Sequence, residues 1–114
     1  MRKTEKQLQD MVCTYLDLQK VLYTCTLGGV FLGQRNFKQK QILKKHYSKG
    51  VPDVLIFEPS NKYHGLMIEL KVGYNKPTKE QKDWITKLNL KGYKATICYS
   101  LDQVIQTLND YKND

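Results

Sequence analysis

The feature that most constrains this chain is a pair of apolar strand runs, Val54-Leu55-Ile56-Phe57 and Leu66-Met67-Ile68, each bordered by charge. Gly50-Val51-Pro52-Asp53 leads into the first run, and Glu69-Leu70-Lys71 closes the second. Side chains alternate across a strand, so Glu69 and Lys71 project from one face, about 7 Å apart along the backbone, while Ile68 and Leu70 point the other way. The Pro59-Ser60-Asn61 stretch between the runs is turn chemistry, which predicts a hairpin of strands over residues 53–57 and 66–72. Asp53 then stands at the entrance of one strand beside an acid and an ammonium on its neighbour. Two converging carboxylates make a hard oxygen site suited to Mg²⁺, and a lysine beside it can handle a water or a phosphate. The same three residues also suit a surface hairpin with a turn aspartate and a cross-strand ion pair. The rest of the chain has to separate these readings.

At 114 residues the sequence suits one domain over 1–114, long enough to bury a core with 40% apolar residues. The opening Met-Arg-Lys-Thr-Glu-Lys runs directly into a charged amphipathic segment, and no apolar run has the length of a membrane span. A soluble, intracellular protein is expected. Three cysteines, Cys13, Cys25 and Cys98, lack Cys-x-x-Cys spacing, and only His46 and His64 accompany them. That argues against structural zinc and against a disulfide framework. Cys13 and Cys98 are expected to pack as small hydrophobes.

The net charge is +8, and its placement matters more than its size. Between Asp17 and Asp53 there is no acidic residue, while Lys20, Arg35, Lys38, Lys40, Lys44, Lys45 and Lys49 fall in that gap. A charge run is usually a solvated face. Here most of the imbalance sits next to the candidate acidic site, which points to a polyanion, most simply nucleic acid. The stretch has no long apolar stripe to insert in a membrane.

Thr4-Glu5-Lys6-Gln7 has the form of a capping box, with Leu8, Met11, Val12, Tyr15, Leu16 and Leu22 following at helical spacing. Glu5 shares the inward face with Leu8 and Val12, either as a first-turn charge favoured by the helix dipole or as a directed ligand. Residues 21–26 read as a strand, and Leu27-Gly28-Gly29-Val30 as a turn or loop. Residues 36–47 read as a short basic surface helix anchored by Phe37 and Leu43. Thr78-Lys79-Glu80-Gln81 repeats the capping box, with Trp84, Ile85 and Leu88 as a buried stripe and Gly92 as the terminating C′ glycine. Gln81 lies on that stripe, either closing the cap on Thr78 or reaching the acidic site. A strand over 93–99 and a helix with Val104, Ile105 and Leu108 complete the chain. The strand–helix–strand connection after Val72 predicts a parallel pairing in an otherwise antiparallel sheet.

Asp53, Glu69-Leu70-Lys71 and this element order resemble the PD-(D/E)xK nuclease superfamily. Gly50-Val51-Pro52-Asp53, Ile68-Glu69-Leu70-Lys71, Pro77-Thr78-x-x-Gln81 and Leu88…Gly92 resemble its VRR-NUC branch, which includes small stand-alone phage and viral proteins. The likeness spans about residues 4–101. It implies an α/β, restriction-endonuclease-like core, a central mixed sheet flanked by helices in the order α-β-β-β-α-β. It also implies a metal site from Asp53, Glu69 and the Leu70 backbone carbonyl, with Glu5 as the completing first-helix acid. Lys71 would assist the attacking water, and Gln81 would support the lysine or the water. The implied cofactor is Mg²⁺, with Mn²⁺ able to substitute and no small-molecule cofactor.

The expected activity is therefore metal-dependent endonucleolytic hydrolysis of DNA, duplex or branched, by a homodimer that prefers structures such as a Holliday junction. Arg35, Lys38, Lys40, Lys44, Lys45 and Lys49 would hold the nucleic-acid backbone without reading sequence. A non-catalytic nucleic-acid-binding module on the same fold is the alternative, and a protein-interaction module a third. Retention of the Asp53, Glu69 and Lys71 set argues against the second.

Overall fold

A computed structural model of the chain describes residues 3–26, 41 and 48–114. The element order is α1 (Glu5–Leu18), β1 (Tyr23–Cys25), β2 (Val54–Ile56), β3 (Leu66–Leu70), α2 (Lys79–Leu90), β4 (Lys94–Cys98) and α3 (Leu101–Lys112). The strands form one sheet in the order β1-β2-β3-β4. β2 pairs antiparallel with β1 and with β3, Val54 facing Ile68 and Ile56 facing Leu66. β3 and β4 run parallel, as predicted from the helix that connects them. The mixed α/β arrangement is the one expected from the sequence. Each strand is a residue or more shorter at its ends than the apolar runs suggest, and Phe57, beyond β2, is an exposed aromatic whose N–H donates to the Leu22 carbonyl.

Both capping boxes form. The Thr4 hydroxyl accepts from the Gln7 N–H while the Gln7 amide returns a bond to the Thr4 N–H, and Thr78 and Gln81 repeat the exchange. Each pair satisfies two backbone donors that a helix start leaves without partners. α2 ends on Gly92 at φ +95°, with the Gly92 N–H donating to the Asn89 carbonyl and the Tyr93 N–H to that of Leu88. A side chain at Gly92 would also run into the His64 ring, 2.7 Å from the position of a Cβ.

One face of the sheet carries the apolar core. Val54, Ile56, Leu66, Ile68, Leu70 and Cys98 pack against Leu8, Val12 and Leu16 of α1 and Val104, Leu108 and Tyr111 of α3. Burying such a side chain stabilises the fold by about 1.5–3 kcal/mol each. Tyr111 takes the third anchoring position of α3 that the spacing assigns to Ile105, and its hydroxyl donates to the Glu58 carbonyl at 2.6 Å. Leu22 lies past the end of α1 and is exposed.

α2 covers the opposite face. Its stripe of Trp84, Ile85 and Leu88 turns inward as the spacing predicts, but all three are half-buried, and no residue of α2 is fully buried. The Asn89 side chain bonds both backbone groups of Ala95, covering the outer edge of β4. The basic helix expected over 36–47 lies, apart from Gln41, outside the described residues, as does Leu27-Gly28-Gly29-Val30.

Candidate active site

The antiparallel register of β2 and β3 sets the start of one beside the end of the other. Continued one residue, that register brings Asp53 level with Glu69, and the Asp53 Oδ2 accepts from the Leu70 N–H at 2.8 Å. Leu70 is an inward core residue, so its neighbours Glu69 and Lys71 turn to the other side, where both are buried. The Lys71 ammonium lies 3.8 Å from Glu69 Oε2 and 3.9 Å from Glu5 Oε1. Glu5 opens α1 one turn before Leu8, so the burial of Leu8 and Val12 fixes its reach to the strand end.

Gln81 fulfils both of its candidate roles at once. Its Oε1 accepts from the Thr78 N–H at 2.8 Å, and its Nε2 donates to Glu69 Oε2 at 3.1 Å. The capping box holds the amide in the orientation that presents its N–H₂ to the carboxylate. The approach of α2 to the site depends on Gly50, whose φ is +98° and whose missing side chain would lie 2.6 Å from the Glu80 backbone. A Cβ there meets rigid backbone in a conformation that favours glycine.

Glu69 is the strained member of the group. Burial, then the neighbouring charge of Asp53, push its carboxyl from 4.5 up to about 9, with Glu5 adding to the effect and Lys71 opposing it. Its Oε1 is buried and accepts no hydrogen bond from any described residue. Leaving such an oxygen without a partner is costly, and a cation is the partner that would relieve both the burial and the repulsion. Among the described residues no group of three or more His, Cys, Asp and Glu is gathered into a metal cage. The donors nearest to that role are the Asp53–Glu69 pair, which suits Mg²⁺, an ion commonly held by one or two carboxylates with other positions open. Glu5 meets this pair through Lys71.

Of the candidate backbone-holding residues, Arg35, Lys38, Lys40, Lys44 and Lys45 lie outside the described residues. Lys49 is exposed, and its charge helps to hold the Glu80 carboxyl below its usual range, after that residue's own backbone N–H. The sequence gives no sign of Thr26, which holds the peptide that carries Asp53. Its N–H donates to the Asp53 carbonyl at 2.8 Å and its hydroxyl to the Pro52 carbonyl at 3.0 Å. A threonine just past a strand has no local signature of such a role, because its partners Pro52 and Asp53 lie far along the chain.

A short acid pair at a strand junction, with a buried lysine beside it and a glutamine from the following helix, makes up the candidate site. The VRR-NUC domain model matches residues 3–102, and the chain belongs to the VRR-NUC family. A solved structure of a "VRR_NUC domain protein" superposes with a TM-score of 0.80 at 25% identity, covering 99% of this chain and 91% of that one. No curated protein matches. Membership implies a nuclease-type function on a nucleic-acid substrate. Among the described residues no helix is long and apolar enough to cross a membrane.

Proposed function

We propose that the protein is a Mg²⁺-dependent endonuclease that hydrolyses DNA phosphodiester bonds, with branched DNA preferred and a homodimer as the working form. The observation that carries the metal reading is Glu69 Oε1, buried beside Asp53 and accepting no hydrogen bond from any described residue. Asp53 and Glu69, with the Leu70 carbonyl, would hold the ion. When bound, Mg²⁺ supplies Lewis-acid neutralisation of phosphate charge. Lys71, its ammonium between Glu5 and Glu69, would orient a water or a phosphate oxygen. Gln81 fixes the Glu69 carboxylate through one bond and its own helix start through another. Closely placed, fixed donors of this kind reduce the reorganisation that the reaction demands. The acid-free basic stretch ending at Lys49 would supply sequence-independent grip on the phosphate backbone.

The test is cleavage of labelled linear, nicked, flap and four-way-junction DNA in Mg²⁺, Mn²⁺ and EDTA. Metal-dependent cutting with the junction favoured is the expected result. Salt-sensitive binding without cutting on any substrate would replace this reading with a non-catalytic binding module, and sedimentation of the active species decides the dimer.

A further inference from the structure

Cys13 and Cys25 are twelve positions apart in sequence, on α1 and at the end of β1, yet their sulfurs lie 3.1 Å apart. Both are free thiols and both are half-buried. The expectation that Cys13 packs as an ordinary small hydrophobe fails here, because the turn after α1 folds β1 back along the helix. Lys20 makes that turn with φ 57°, and the Tyr23 hydroxyl fastens it with its one proton, 2.8 Å from Asp17 Oδ1 and 3.1 Å from the Cys13 carbonyl.

We propose that Cys13 and Cys25 are a vicinal thiol site oxidised by hydroperoxides to an intramolecular disulfide, which ties the arm carrying Glu5 to the arm carrying Asp53. Glu5 opens the helix that bears Cys13. Cys25 pairs with Val54 in the sheet, and the next residue, Thr26, bonds the Pro52 and Asp53 carbonyls. The bond would therefore clamp α1 to β1, the strand whose following residue, Thr26, is hydrogen-bonded to the peptide that carries Asp53. It concerns the thiols alone and stands apart from the nuclease reading.

The chemistry balances with peroxide as the only co-reactant. Burial, together with the Cys25 sulfur, pushes the Cys13 thiol up to about 11, so Cys13 keeps its proton near neutrality and serves as the resolving thiol. Cys25 attacks one peroxide oxygen, the O–O bond breaks, and the other oxygen leaves as water, giving a sulfenic acid on Cys25. The Cys13 sulfur then attacks the Cys25 sulfur, its proton going with the departing hydroxyl as a second water. Two thiols are oxidised by two electrons and one hydrogen peroxide is reduced to two waters. Cys98, buried beneath α3 with Thr107 Oγ1 at 3.5 Å, takes no part.

The experiment treats the folded full-length chain with hydrogen peroxide and maps its peptides by mass spectrometry. The expected product is a monomer lighter by two hydrogens, with the Cys13 and Cys25 peptides joined, reversed by dithiothreitol and formed more slowly in denaturant. Its Tm should rise by about 5–15 °C, given the loop closed and a domain of this size. Amide exchange at Thr26 should slow. Cys25→Ser should show neither the link nor the shift. A link through Cys98, a covalent dimer, or cysteines oxidised singly to sulfinic acid would overturn the site. A disulfide that leaves Tm and Thr26 exchange unchanged would overturn the tether.

Discussion

The two faces of the sheet spend their buried residues differently. Against α1 and α3, β3 presents Leu66, Ile68 and Leu70, each at most 1% exposed among apolar neighbours. On the other side the same strand buries Glu69, followed by Lys71, under a helix whose own stripe is only half-buried. The first face gains stability from every contact. The second holds a carboxylate whose ionised form the surroundings resist, with one oxygen that accepts no hydrogen bond from any described residue. Such an arrangement persists because the apolar face over-determines the strand. Strain at a site is supported from elsewhere in the fold.

The sharpest way to break this comparison is to remove an acid. Asp53→Ala or Glu69→Ala should abolish cleavage while leaving DNA affinity within a few fold, since the phosphate contacts are assigned to lysines. Gel-based turnover and anisotropy on the same preparations check it, and substantial Mg²⁺-dependent turnover by the Asp53 variant would sink the site. The apolar face should answer in the opposite currency. Leu16→Ala should cost about 2–5 kcal/mol of stability by urea unfolding, with kcat per folded molecule little changed. Lys71→Ala comes next, with a rate lower by about 10²-fold, the scale of a group that positions or moves a proton. Calorimetric titration with Ca²⁺ should find the ion still bound. A lost metal site would make Lys71 structural.

Glu69→Gln sharpens the contrast, because it should stabilise the metal-free protein while destroying activity. The folded carboxyl is raised from 4.5 to about 9, so the stability associated with its protonation is full below about pH 4.5 and is lost as pH climbs through 9. The neutral amide does not follow that slope. The gain from Gln should therefore grow between pH 5 and pH 9 in EDTA, reaching about 1–3 kcal/mol, the usual cost of a buried group short of partners. A gain independent of pH would place the cause elsewhere. The smallest effect on stability is expected from Glu5→Gln, at most about 1 kcal/mol as a first-turn charge. The salt bridge to Lys71 predicts that the rate falls further than that loss of stability explains. Near-wild-type cleavage would confine Glu5 to the helix start.

Much was determined by sequence alone, because it depends on local rules. Alternation along β3 sets Glu69 and Lys71 on one face and Ile68 and Leu70 on the other. The two Thr-x-x-Gln boxes fix where α1 and α2 begin, and the helical run from Lys79 to Leu90 favours the parallel pairing of β3 and β4. The tertiary structure decided what adjacency in space adds. Gln81 bonds both Thr78 and Glu69, two roles that the spacing offers only as alternatives. Trp84, Ile85 and Leu88 face inward without full burial, since periodicity reports direction and not what waits at the other side. Gly50 is tied to Glu80, Thr26 to Pro52, and Cys13 to Cys25. Each of these pairs is brought together by the path of the chain between its members, and no property of either residue alone encodes the distance.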